Sequence, residues 1–141
     1  MSLFTFSSKQ KVPFFDCDPM GVVWHGNYLK YMEVARGEFL QMIDFSYRSI
    51  HEINYAFPIV EIKTKYTNPL KVDDDFEVIT TLDEYENRLV HGFKIISNSR
   101  VCFKSISVQV AFNNETKSME FIMPEAFRSA VESFLGKIGN V

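Results

Sequence analysis

The chain is poor in the residues that mark specialised protein classes. Its 141 residues include two cysteines, Cys17 and Cys102, too few for a disulfide framework, so a reducing, cytoplasmic setting is expected. No apolar run approaches the roughly 18 residues of a membrane-crossing helix, and the N-terminus lacks a signal-peptide hydrophobic region. Membrane insertion is therefore not expected. Neither sign of charge dominates: 15 Lys and Arg stand against 18 Asp and Glu, for a net charge of -3. Without a basic stripe, nucleic acid is not an expected partner, although a ligand with a few phosphates stays compatible. The three histidines, His25, His51 and His91, show no metal-ligand spacing with one another or with the cysteines. Neither a metal nor another cofactor is expected. Linkers, repeats and low-complexity tracts are also missing, so residues 1–141 read as one domain.

What the chain does have is core-forming material: 46% of its residues are apolar and 15% aromatic, with 14 Phe. Leu3 to Phe15 reads as an N-terminal strand, ending in the turn signals of Asp16-Cys17-Asp18-Pro19-Met20-Gly21. From Gly26 to Ile43 the period becomes helical: Tyr28, Met32, Ala35, Phe39 and Ile43 form a stripe that Leu29, Tyr31, Val34 and Leu40 widen. This predicts a largely buried helix, with Glu33 and Arg36 paired one turn apart across its surface. Asp44 to Phe57 reads as a loop. Beyond it the period falls to two, predicting four long strands, each with one core face. Val60, Ile62 and Tyr66 mark that face in the first, Phe76, Val78 and Leu82 in the second. Leu89 to Ile96 supplies the third, and Ile106, Val108, Val110 and Phe112 mark the face of the fourth. Pro124 to Leu135 predicts a terminal amphipathic helix stopped by Gly136. The architecture expected is α+β, with a curved antiparallel sheet wrapped around a central buried helix. Its half-covered sheet invites a second copy of the chain.

The chemistry concentrates in Phe15-Asp16-Cys17-Asp18-Pro19-Met20-Gly21-Val22-Val23-Trp24-His25-Gly26-Asn27-Tyr28, continuing to Tyr31-Met32-Glu33-Val34-Ala35-Arg36. A carboxylate here precedes the start of a buried helix, where unpaired N–H groups carry partial positive charge. Such a pair can direct an attack on a carbonyl whose oxygen rests on those donors. Asp and Asn before helices are usually caps, so the spacing alone leaves both readings open.

These residues resemble the hotdog-fold acyl-CoA thioesterases of the 4-hydroxybenzoyl-CoA thioesterase type, including the Tol-Pal-associated branch. Tyr66-Thr67-Asn68-Pro69-Leu70 with Asp74-Asp75-Phe76 adds a looser match. The resemblance implies a hotdog fold, homodimers that pair into one continuous sheet and often tetramers, with hydrolysis of acyl-CoA to an acid and CoA at the subunit interface. By position it makes Asp18 the catalytic carboxylate, as nucleophile or general base, and the His25 backbone N–H the donor that polarises the carbonyl. The His25 ring is implicated in one branch. Gly26, Asn27 and Tyr28, at the helix start, are the expected substrate-binding residues. Some relatives carry a Tyr where this chain has Phe14, so a mechanism needing a phenol there is not available.

Competing readings attach to several residues. Asp16 reads as a structural turn acceptor. Cys17, flanked by acids that raise its pKa, is a poor nucleophile. Glu33 could serve as an alternative carboxylate but pairs with Arg36. Lys63, Lys65, Arg100 and Lys104 could meet CoA phosphates or simply solvate a strand face. The alternative functions are hydrolysis of acyl carrier protein thioesters and a non-catalytic acyl-thioester binding module.

Overall fold

The computed structural model describes residues 2–139; Met1, Asn140 and Val141, which the expected domain includes, lie outside the described residues. Strand β1 (Phe4–Lys11) leads through short 3-10 turns at Phe14–Asp16 and His25–Asn27 into helix α1 (Tyr28–Met42). Then follow α2 (Tyr47–Glu52), β2 (Tyr55–Ala56), β3 (Ile59–Tyr66), β4 (Asp75–Glu84), β5 (Leu89–Ser97) and β6 (Arg100–Gln109). The short strands β7 (Ala111–Asn113) and β8 (Ser118–Glu120) precede α3 (Glu125–Gly139). Five strands form an antiparallel sheet in the order β1-β4-β5-β6-β3, and β2-β7-β8 form a second, small sheet. No described helix is long and apolar enough to cross a membrane.

Helix α1 forms where the 3.6-residue stripe places Tyr28, Tyr31, Met32, Ala35, Phe39 and Leu40 against the sheet, and all are buried. Each large side chain so buried contributes about 1.5–3 kcal/mol. Two apolar clusters result. One surrounds the first half of α1, with Val12, Leu70, Phe76, Val78, Phe93, Ile95 and Phe103. The other surrounds its second half, with Leu82, Leu89, Phe127 and Val131. Between them on the helix stands Arg36, 1% exposed, whose guanidinium bonds Ser107 Oγ at 2.7 Å and pairs with Glu33.

Several expectations are corrected. The region 44–57 is not a loop throughout: Ser46 caps α2 through its side chain, which accepts from the Ser49 N–H, and β2 follows. The helix is not buried all round, since Leu29 and Val34 are exposed, and Arg36 is a core residue rather than a surface one. The terminal helix runs past Gly136 to Gly139. Strand β3 has no core face; every residue from Ile59 to Tyr66 is exposed, because the strand lies at the sheet edge. The largest correction falls on β6. Ser105 stands opposite Phe93, and Ser107 opposite His91, so the serines share the helix side of the sheet. Ile106, opposite Gly92, faces away and is exposed. Alternation located β6 but carried it too far and put Ser105 and Ser107 on the wrong face: the strand ends at Gln109, Phe112 belongs to β7 of the second sheet, and of the expected core face Val108 is buried while Ile106 is not. The buried guanidinium recruits the hydroxyl of Ser107, offsetting the cost of burying it.

Candidate active site

The motif folds as a tight double back. The Asp18 N–H donates to Val22 O at 2.8 Å and the Gly21 N–H to Asp18 O at 2.9 Å, closing a turn in which Gly21 holds φ +82°. The returning segment pairs Cys17 with Val23 and Val22 with Lys71, which ties the turn to the loop before β4.

Asp16 is the anchor of this arrangement. It is 3% exposed, and its Oδ1 accepts from Lys30 Nζ at 2.5 Å while Oδ2 accepts from the Tyr31 hydroxyl at 2.9 Å. Its backbone carbonyl accepts from the Trp24 N–H and from Asn27 Nδ2. One residue therefore binds both the entry and the first turns of α1. Burial, reinforced by the neighbouring Asp16 carboxylate, pushes the Tyr31 hydroxyl pKa well up, so it stays a proton donor.

The helix start opens onto a cleft of about 270 Å³ lined by Val23, His25, Tyr28, Tyr66, Asn68 and Pro69. His25 begins the 3-10 turn, and neither its N–H nor that of Gly26 has a hydrogen-bond acceptor among the described residues. They are the unspent donors that a helix start leaves. The His25 carbonyl accepts from the Tyr66 hydroxyl at 3.0 Å, and its ring stands edge-on to Tyr66 with centroids 6.3 Å apart.

The expected site residues are thus placed as follows. Asp18 is half-buried on the turn, with Oδ1 accepting from the Met20 N–H at 2.8 Å, and makes no ion pair among the described residues. It does not line the cleft. His25 is exposed at the cleft mouth. At Gly26 a Cβ would lie 2.1 Å from the ring of the exposed Trp24, so a larger residue there would displace that ring. Asn27 is spent on Asp16, so its contribution is to hold the helix start. Tyr28 borders the cleft, but its ring stacks on Phe103 at 5.2 Å and its hydroxyl accepts from the Leu70 N–H. Burial raises the Cys17 thiol pKa, and Asp16 and Asp18 add to the effect. Glu33 points to Arg36. Sequence reasoning missed Tyr66 as a cleft residue and Asp16 as the hub of the motif. The Tyr66-Thr67-Asn68-Pro69 run carried the signal for the first; nothing local marked the second.

Comparisons with known proteins bear on the family and the fold. The family model described as the thioesterase-like superfamily matches residues 12–131. A relative from Aquifex aeolicus named "Putative esterase" is 37% identical over 56% of this chain and 62% of its own length, less than two thirds of that relative. The acyl-CoA thioesterase YbgC of Haemophilus influenzae is 30% identical over 80% of this chain and 92% of its own. The solved structure of a DHNA-CoA thioesterase from Staphylococcus aureus superposes with a TM-score of 0.81 at 19% identity, covering 96% of this chain and 91% of that one. Its fold is this one, the hotdog fold. By fold and by sequence, the chain belongs to the thioesterase-like superfamily.

Proposed function

We propose that the protein hydrolyses acyl-CoA thioesters to a carboxylic acid and free CoA. The observation that carries this reading is the pair of unclaimed N–H groups at His25 and Gly26, at the helix start beside the cleft, with the Asp18 turn a few residues before them in the chain. The thioester carbonyl oxygen rests on those donors, where charge develops in the tetrahedral transition state. Asp18 attacks the carbonyl carbon or removes a proton from an attacking water; the His25 ring stands at the same mouth to assist the leaving thiolate. The names of the relatives support this substrate class.

The active unit is a homodimer. Strand β3 is an exposed edge whose Ile59, Val60 and Ile62 have no cover, and Phe14, Phe15, Met20 and Trp24 are exposed around the motif. A second copy pairing along β3 would bury these groups and wall the cleft with apolar surface for the acyl chain. Residues 1–141 act as one cytoplasmic domain.

The test is turnover across short, long and aromatic acyl-CoAs, read by thiol release. Asp18→Asn folds normally and loses at least about 100-fold in kcat. Equal hydrolysis by the variant overturns the assignment. A single turnover in ¹⁸O-water then tests the nucleophile: label in the Asp18 carboxylate marks an anhydride opened at the Asp18 carbonyl, whereas label only in the product acid fits both the general base and water attacking the acyl carbon of that anhydride.

A further inference from the structure

The outer face of the large sheet, turned away from α1, carries a row of like charges. Lys65 of β3 stands opposite Lys104 of β6, and Lys104 stands opposite Lys94 of β5, so three lysines sit side by side over about 10 Å. Lys63 flanks them on β3, opposite Ile106. All four lysines are exposed, and none makes an ion pair among the described residues. Like charges directly opposite one another destabilise a sheet, and here they gather on a chain whose net charge is -3.

The row borders a hollow of about 470 Å³ that all four lysines line and no carboxylate lines. Its floor is largely apolar. Gly92 leaves the sheet without a side chain there, with Ile106 opposite it on one side and Thr81 on the other, and Ile79 stands beside Lys94. The Asp83 carboxylate stands at the rim, its Oδ2 3.5 Å from the place a Gly92 Cβ would take. Glu61 and Glu77 share this face outside the hollow, by the alternation of β3 and β4. Arg100, at the start of β6, does not line it.

These features select a ligand. Four unpaired cations with one acid at the rim favour an anion of at least two charges. A floor of isoleucine and bare backbone takes a flat body, and Asp83 takes hydroxyl or amine donors. A nucleoside polyphosphate combines all three. A second copy pairing along β3 would extend the sheet and leave this face open, and the sheet separates the hollow from the cleft at the start of α1.

We infer that this hollow binds a nucleoside diphosphate or triphosphate. Its phosphates lie on the Lys94–Lys104–Lys65 row and its nucleoside over Gly92, with a ribose hydroxyl or base amine donating to Asp83. The inference does not rest on thioester hydrolysis.

The test is a titration of the full chain with ADP, adenosine and pyrophosphate at low salt, followed by calorimetry and by amide chemical shifts, with no thioester present. ADP is expected to bind at least about tenfold more tightly than adenosine or pyrophosphate, with shifts centred on Gly92, Lys94 and Lys104, and to weaken as salt rises. Lys104→Gln, at the centre of the exposed row, should lower ADP affinity at least about tenfold. Lys137→Gln, an exposed lysine of α3, should leave it unchanged. The inference is overturned if adenosine or pyrophosphate binds as tightly as ADP, if Lys104→Gln and Lys137→Gln act alike, or if ADP shifts nothing on the sheet. A rise in KM for acyl-CoA in Lys94→Gln would assign the hollow to the substrate's own nucleotide and overturn a separate site.

Discussion

The two ends of α1 solve opposite problems with similar parts. At the start, a buried carboxylate, Asp16, is paired with the half-exposed Lys30 and with a tyrosine, and the unspent polar groups are backbone donors at the helix start, beside an open cleft. Further along, a buried guanidinium, Arg36, is paired with the half-exposed Glu33 and with a serine, and the unspent groups are side-chain atoms sealed inside. In both, a charge is taken from water but kept in contact with a counter-ion that stays hydrated, which limits the desolvation cost. The difference lies in access. Donors left open to solvent cost little and can serve a reaction, whereas enclosed unpaired ones cost stability.

The comparison can be broken most forcefully at Asp16. Asp16→Ala leaves the Tyr31 hydroxyl buried without its acceptor and frees Lys30, and a loss of about 3 kcal/mol in unfolding free energy is expected. Urea denaturation measures it; a loss under about 1 kcal/mol would mean that the motif holds itself without its anchor.

The polar seam beside Arg36 makes a pH prediction. His91 is fully buried with neither nitrogen bonded among the described residues, and burial together with the Arg36 charge lowers its pKa from 6.5 to about 3. Between those values the unfolded chain takes up a proton that the folded one refuses. Its contribution is therefore present above about pH 6.5 and lost as the pH falls towards 3, at about 1.4 kcal/mol per unit. Between pH 7 and pH 5 about 2 kcal/mol should disappear, and His91→Phe should flatten that slope. Unchanged acid sensitivity in the variant would place the titration elsewhere.

The smallest effect is expected at the cleft. Tyr66→Phe removes the solvent-exposed hydrogen bond to the His25 carbonyl, at most about 1 kcal/mol, and should lower kcat/KM for acyl-CoA a few-fold with the melting temperature falling by no more than about 4 °C. A large fall in stability instead would make Tyr66 a structural prop.

Much of this molecule was legible in the chain as written. The helix stripe from Tyr28 to Ile43, the long strands and the Asp-x-Asp motif are patterns among neighbours, and local geometry follows from them directly. The faces of β6 and the exposure of β3 were not legible. Ser105, Ser107 and Gln109 look like a wet face until Arg36, far away in sequence, is seen to occupy the space they point into. Likewise Val60 and Ile62 look like core residues, and only the strand order reveals that the sheet ends there.

Period and motif thus follow from residues close in the chain, because a helix turn or a strand alternation is closed by its own neighbours. Which face is inside, which carboxylate is an anchor and where a cavity stays open follow from contacts between distant segments. Asp16 looks the same as Asp18 in the sequence. Lys30 and Tyr31 make one of them the buried hub, and the turn leaves the other half-exposed with no ion pair among the described residues.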